Sequence, residues 1–195
     1  MHVALVVLMA VVAAILPLAS ASIAARTAAA DVDTLTPLLP GLIDQAGRPV
    51  TAARFAGRSV LVNFIFTRCG STCPMQTAQL ARFDRDLPPA LRDTVALLSV
   101  SVDPQNDTPA ALGRFARRFG ADTRHWSFVT GRPQDVARLT STFSAMRPGG
   151  GGLGFHSSEL WMFDARHRMI QRYAGAPLSD ARLRADLLTL AATRS

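Results

Sequence analysis

The stretch that most constrains this chain is Ser59 to Phe66, S-V-L-V-N-F-I-F, followed closely by Cys69, Cys73 and Pro74. A continuous apolar, β-branched and aromatic run of strand length is what a central strand covered on both faces requires. Met75 to Leu87 then carries Leu80, Phe83 and Leu87 at helical spacing, and Pro74 suits a first helical turn. The two cysteines of the chain therefore stand where a buried strand hands over to a helix.

The same order recurs. Val95 to Val102 is a second apolar run ending at Asp103-Pro104, and Asp107-Thr108-Pro109 supplies a cap and a proline for a helix through Phe119, stopped by Gly120. Trp126 to Thr130 followed by Pro133 to Phe143 is the third strand and helix. Glu159 to Phe163 and Met169 to Tyr173 read as a closing hairpin around Asp164-Ala165-Arg166, and Ser179 caps a last helix to Ala192 with Leu183, Leu187 and Leu190 on one face. Ahead of all this, Leu42 to Val50 encloses the turn-forming Asp44 to Arg48, which predicts a small hairpin opening the domain. The alternation defines an α/β fold, a parallel or mixed sheet flanked by helices with an N-terminal β-hairpin extension.

At 195 residues the chain fits one domain and a leader. Val3 to Leu18 is apolar and is followed by Ala19-Ser20-Ala21, the pattern of a secretory signal with its cleavage site. Only the α-amine and His2 supply positive charge before it, and the run approaches span length, so an uncleaved membrane anchor stays open. The expected organisation is a signal peptide or anchor over 1–25, a linker over 26–36 and one domain over 37–195. Either leader places the domain outside the cytoplasm, and an uncleaved leader would be its one attachment to a membrane. The net charge of +7 comes wholly from arginine. The densest cluster, Arg114, Arg117 and Arg118, lacks the basic face with aromatics that nucleic-acid binding needs, so no nucleic-acid partner is expected.

Export sets the reading of the cysteines. A pair this close would close a very small loop, and loop-closure stabilisation shrinks with loop length. Redox or metal chemistry is the better use. At a strand-to-helix turn the helix's positive end lowers thiol pKa, so thiolates are expected at both positions. Thiolate is a soft ligand preferring Cu(I), and two of them with one imidazole make a three-coordinate set suited to copper. A glycine-rich loop, Gly149 to Gly152, precedes His156, which is either that imidazole or an ordinary hydrogen-bonding histidine. His125, beside Trp126, suits the role less, and His167 reads as a solvated turn residue. Asp103 and Asp107 flank a turn at the carboxyl end of the second core strand, the edge where open α/β sheets gather their sites. Asp107 or Thr108 can cap the helix, while Asp103 either shapes the turn or stands behind a metal ligand. Met75, Met146 and Met162 read as packing residues.

Three separated blocks carry a resemblance: Asn63 to Pro74 (N-F-I-F-T-R-C-G-S-T-C-P), Ser99 to Pro109 (S-V-S-V-D-P-Q-N-D-T-P) and His156 to Asp164 (H-S-S-E-L-W-M-F-D). Together they resemble the SCO/SenC family of thioredoxin-like copper proteins of cytochrome c oxidase assembly. The resemblance implies a thioredoxin-like fold and Cys69, Cys73 and His156 as ligands of a copper ion, Cu(I) or Cu(II). It also implies Asp103 as a carboxylate near the metal. The implied partner is the copper-bearing subunit of cytochrome c oxidase or another copper protein, met in the periplasm or at the outer face of the inner membrane. The chain departs from the family at Arg68, where histidine is common, and at Gly70, where proline is.

Two other functions use the same cysteines. A thiol-disulfide oxidoreductase would use Cys69 and Cys73 as a redox dithiol, attacking partner disulfides through a thiolate. A thiol peroxidase is suggested by Cys69-Gly70-Ser71-Thr72, which resembles the CGxT stretch of glutathione-peroxidase-like enzymes, yet no Asn-Gln-Phe-Gly or Trp-Asn-Phe run follows. The expected function is a non-enzymatic metallochaperone with thiol redox chemistry available to it. Reduced cysteines capture copper, and their disulfide cannot.

Overall fold

The computed structural model describes residues 33–146 and 156–193. The expected leader (1–25) with His2, the linker as far as residue 32, and the Gly149 to Gly152 loop lie outside the described residues. In chain order the elements are β1 (Leu42–Asp44), β2 (Ser59–Ile65), α1 (Thr72–Arg85), α2 (Pro89–Arg92), β3 (Val95–Ser101), α3 (Pro109–Arg118), β4 (Trp126–Gly131), α4 (Pro133–Thr142), β5 (Leu160–Phe163), β6 (Met169–Tyr173) and α5 (Asp180–Ala192). They form one six-stranded sheet in the order β1-β4-β3-β2-β5-β6. β2, β3 and β4 run parallel, while β1, β5 and β6 are each antiparallel to the neighbour they join, so the sheet is mixed.

Strand periodicity explains the nearly continuous apolar run. Val60, Val62 and Phe64 of β2, with Ala96, Leu98 and Val100 of β3, turn to the face covered by Val136 and Leu139 of α4. Leu61 and Ile65, with Val95 and Leu97, turn to the face covered by α1, α3 and α5 through Leu80, Phe83, Leu112, Phe115, Leu183 and Leu187. Both faces are therefore dry, and every residue of β2 and β3 is buried. The helix signals act as read: the Thr108 hydroxyl accepts from the Ala111 amide, the Ser179 hydroxyl accepts from the Arg182 amide, and Gly120 takes the left-handed turn after α3 at φ +66°. No helix among the described residues is long and apolar enough to cross a membrane.

Two boundaries differ from expectation. The chain does turn back after β1, with Val50 N–H bonded to Leu42 O, but the return arm makes only one bridge, Ile43 to Pro49. β1 instead spends its other edge on β4, so the opening hairpin is reduced to an edge strand of the main sheet. The domain also begins before residue 37. Leu35 is fully buried, its amide bonds to His167 O, and Thr34 bridges to Arg168, because burying a leucine and pairing that backbone against the β5–β6 turn outweighs leaving them in a tether.

The turn after β1 is built around Asp44, whose buried carboxylate accepts from the Ala46 and Arg48 amides and from the Arg48 and Arg54 guanidinium groups. Burial alone would raise its pKa. The bonds from Arg54, Arg48 and the amides outweigh that and hold it at about 2. A folded value below the unfolded one gives stability that is present above about pH 4 and lost as pH falls through 2. In urea unfolding, wild type should exceed Asp44→Asn by about 2 kcal/mol near neutrality, and the gap should close toward about pH 2. A gap that does not change with pH would contradict this account.

Candidate metal centre

The site lies at the carboxyl ends of β2 and β3, where the parallel strands release their loops. The loop from β2 is pinned by Asp107: its fully buried carboxylate accepts from Thr67 N (3.1 Å), Thr67 Oγ1 (2.6 Å) and Ser101 Oγ (2.6 Å). Thr108, not Asp107, is therefore the helix cap, and Asp107 ties the cysteine loop to the end of β3.

Helix α1 has no side-chain cap at Ser71. Its Cys73 amide instead points at Cys69 Sγ, 3.5 Å away, so a sulfur occupies the place of a capping oxygen. Burial of Cys69 opposes ionisation, but the Cys73 thiol and the Ser71 and Cys73 amides outweigh it and lower the pKa. Cys73 behaves oppositely. It is 1% exposed within the first turn, and burial, reinforced by Cys69, pushes its thiol up to about 12. The expectation of a lowered pKa at both cysteines thus holds for Cys69 alone, because desolvation of Cys73 exceeds what the helix end supplies.

His156 completes the group. Its Nδ1 lies 2.9 Å from Ser157 O, and a carbonyl only accepts, so Nδ1 carries the proton and Nε2 is bare. Nε2 lies 3.4 Å from Cys73 Sγ, which donates to it while protonated. Burial lowers the His156 pKa, with the Ser157 bond opposing, so the ring is held neutral and able to bind a metal. Phe66 packs T-shaped against it, with 5.5 Å between ring centroids. The two sulfurs and the imidazole nitrogen all lie within 4.8 Å of one another.

The long reach of His156 follows from strand direction. β5 runs antiparallel to β2 with Leu160 opposite Asn63, which sets the residues before β5 beside the loop that follows β2. A buried polar chain holds them there. Asn63 Nδ2 donates to Gln76 Oε1 (2.8 Å), and Gln76 Nε2 donates to Ser158 O (2.5 Å). Ser99 Oγ donates to Asn63 Oδ1 (2.7 Å) and itself accepts from Trp126 Nε1 (2.8 Å). Gln76 thus joins the helix of Cys73 to the segment of His156. Neither residue stands among the expected site residues, although two signals mark them: Asn63 is polar inside an otherwise apolar central strand, and Gln76 falls on the core face of α1 with Cys73, Leu80 and Phe83.

The remaining candidates lie apart. Asp103 is outside the three-residue group, and its carboxylate accepts from Arg68 Nη2 (2.9 Å) and Asn106 Nδ2 (2.8 Å), so it braces the residue before Cys69. His167 is buried rather than solvated, since its ring bridges Thr36 Oγ1 and Phe55 O under the β5–β6 turn. His125 takes no part in the group. Met162 packs in the core as expected, but Met75 is 60% exposed and Met146 36%. Met75 sits two residues beyond Cys73 on α1, off its core face, and Met146 bridges His156.

Two outcomes follow from this geometry. Iodoacetamide should alkylate Cys69 at least about tenfold faster than Cys73 near neutral pH, read by peptide mass mapping, since thiolate fraction and access both favour it. Equal rates would refute the asymmetry. Gln76→Leu should lower unfolding free energy by about 1–3 kcal/mol in urea, because Ser158 O and Asn63 lose their partner in a dry site. An unchanged midpoint would show that the network carries no stability.

Comparison with known proteins agrees with this architecture. The SCO1/SenC family model matches residues 41–192. The SCO1 protein homolog of Bacillus subtilis strain 168 is 30% identical over 136 residues, covering 68% of this chain and 70% of that protein. Among solved structures, BsSco, described as a member of the Sco family of cytochrome c oxidase assembly proteins with a disulfide switch, is 26% identical at a TM-score of 0.66, covering 82% of this chain and 92% of that one. Bradyrhizobium japonicum ScoI, solved with copper bound, shares the fold at a TM-score of 0.59 and 23% identity, over 76% of this chain and 95% of that one. With the family model spanning all six strands and both cysteines and the histidine of the site, the chain belongs to the SCO1/SenC family.

Proposed function

We propose that this chain is an exported copper carrier. Cys69 Sγ, Cys73 Sγ and His156 Nε2 hold one copper ion and release it to a partner in the maturation of the dinuclear copper centre of cytochrome c oxidase. The observation that carries this is the convergence of three soft or borderline donors within 4.8 Å. Metal bonds to sulfur and imidazole nitrogen run about 2.0–2.3 Å, so two donors about 120° apart on one three-coordinate ion stand about 3.7–4.0 Å apart. The group has to close only slightly. The proton on His156 Nδ1 fixes the tautomer that leaves Nε2 free, and the Ser157 carbonyl fixes the ring direction.

The protein's own groups also set how copper would leave. Cys69 is only half-buried and its thiol pKa is lowered, while Cys73 is buried with its pKa raised and gives up its proton to a metal less easily. A partner thiolate therefore gains access at Cys69 first, with Cys73 and His156 held back by burial. The apolar segment at Val3 to Leu18 supports placement outside the cytoplasm, with the periplasm or the outer face of the inner membrane as the site of action.

A second reading is favoured by the same asymmetry: a half-buried thiol of lowered pKa followed by a fully buried one is the arrangement of a dithiol reductant, in which Cys69 attacks and Cys73 resolves. A Cu(I) titration of the reduced protein against a competing chelator separates the two. Wild type should retain one copper, and Cys69→Ala, Cys73→Ala and His156→Ala should each weaken binding by more than about 100-fold, while His156→Ala keeps disulfide reduction of insulin. Insulin reduction with no stoichiometric copper retained by wild type would replace the carrier reading with the reductant one.

A further inference from the structure

The densest arginine cluster of the chain takes no part in the metal centre. Helix α3 reads P-A-A-L-G-R-F-A-R-R, without a single acidic residue. Arg114 and Arg118 stand one turn apart on it, both exposed, and neither pairs with a carboxylate among the described residues. Like charges at this spacing repel along a helix. Together they flank a groove of about 220 Å³ lined by Thr67, Ala111, Arg114, Phe115 and Arg118. Thr67 is two residues before Cys69, so the groove borders the loop that carries the half-buried Cys69. Arg68, in the same loop, is 62% exposed and pairs with Asp103.

The charge and shape select the occupant. Guanidinium forks match carboxylates in a bidentate way, and half-buried Ala111 offers apolar surface for the methylenes of an acidic side chain. Stacking of a nucleobase is excluded at the floor, because Phe115 is only 5% exposed, and the Arg118 guanidinium already lies 5.5 Å over Phe119. The carboxylate that bonds Thr67, that of Asp107, is buried and engaged by its three donors.

We propose that this groove docks a carboxylate-rich segment of the protein that exchanges copper at Cys69, setting that partner's ligands over the metal centre. The partner's identity rests on the copper-carrier reading, whereas binding of acidic peptide by the groove does not. The test measures fluorescence anisotropy of labelled hexaglutamate with the full reduced protein at low ionic strength. Arg114→Glu and Arg118→Glu should each weaken binding at least tenfold. Arg166→Glu, the same charge change at the β5–β6 turn on the opposite end of the sheet, should weaken it less than twofold. Arg114→Gln, the milder change, should fall between, with thermal melting curves unchanged in all four. Equal losses in all the Glu variants would reduce the effect to bulk charge and overturn the proposal, as would tighter binding of a single-stranded oligonucleotide lost in the same variants. Copper titration of Arg114→Glu should match wild type. Absence of copper binding in every protein alongside intact groove dependence would count against the carrier reading alone.

Discussion

The direction of one strand governs the site. β5 joins β2 antiparallel, and this alone returns a histidine from late in the chain to the edge at which the early cysteines emerge. A parallel β5 would have delivered its preceding loop to the opposite end of the sheet. The register is then locked by hydrogen bonds that have nowhere else to go. Asn63, Gln76, Ser99 and Trp126 are buried with their polar atoms paired to one another, and Ser158 O is the one backbone group drawn into the chain. Leaving any of them unpaired in a dry layer is costly, so the arrangement resists slippage.

The two thiols are chemically unequal because the same helix start treats them differently. Cys69 sits outside the first turn and receives an amide in place of a capping side chain. Cys73 sits inside the turn with its sulfur in the core, where loss of water outweighs the helix field. Binding a metal ion at both would release both thiol protons, which couples occupancy to pH as well as to the thiol redox state. Closing the two thiols into a disulfide would release two protons and two electrons and remove two of the three proposed ligands together.

Much of this was legible beforehand where local chemistry decides. The β2 run, the Thr108 and Ser179 caps, the Gly120 stop and the β5–β6 hairpin follow from period, capping and turn preferences, and each stands where those preferences put it. The errors share a cause. His167 was read as solvated and Met75 as packed, Leu42 to Val50 as a small opening hairpin, and both cysteines as having lowered pKa. In each, what decides is which distant surface covers the residue: Thr36 and Phe55 over His167, solvent at Met75, β4 beside β1, and the α1 core over Cys73.

By itself the sequence determined that the domain is α/β, that two thiols stand at a strand-to-helix turn, and that a histidine precedes a late strand, because these depend on the period and type of neighbouring residues. Only the tertiary structure decided that the histidine meets the thiols, which thiol ionises first, and that Asn63 and Gln76 hold the two halves together. Those depend on strand polarity and on burial by elements far away in the chain, and neither quantity is encoded within any local window.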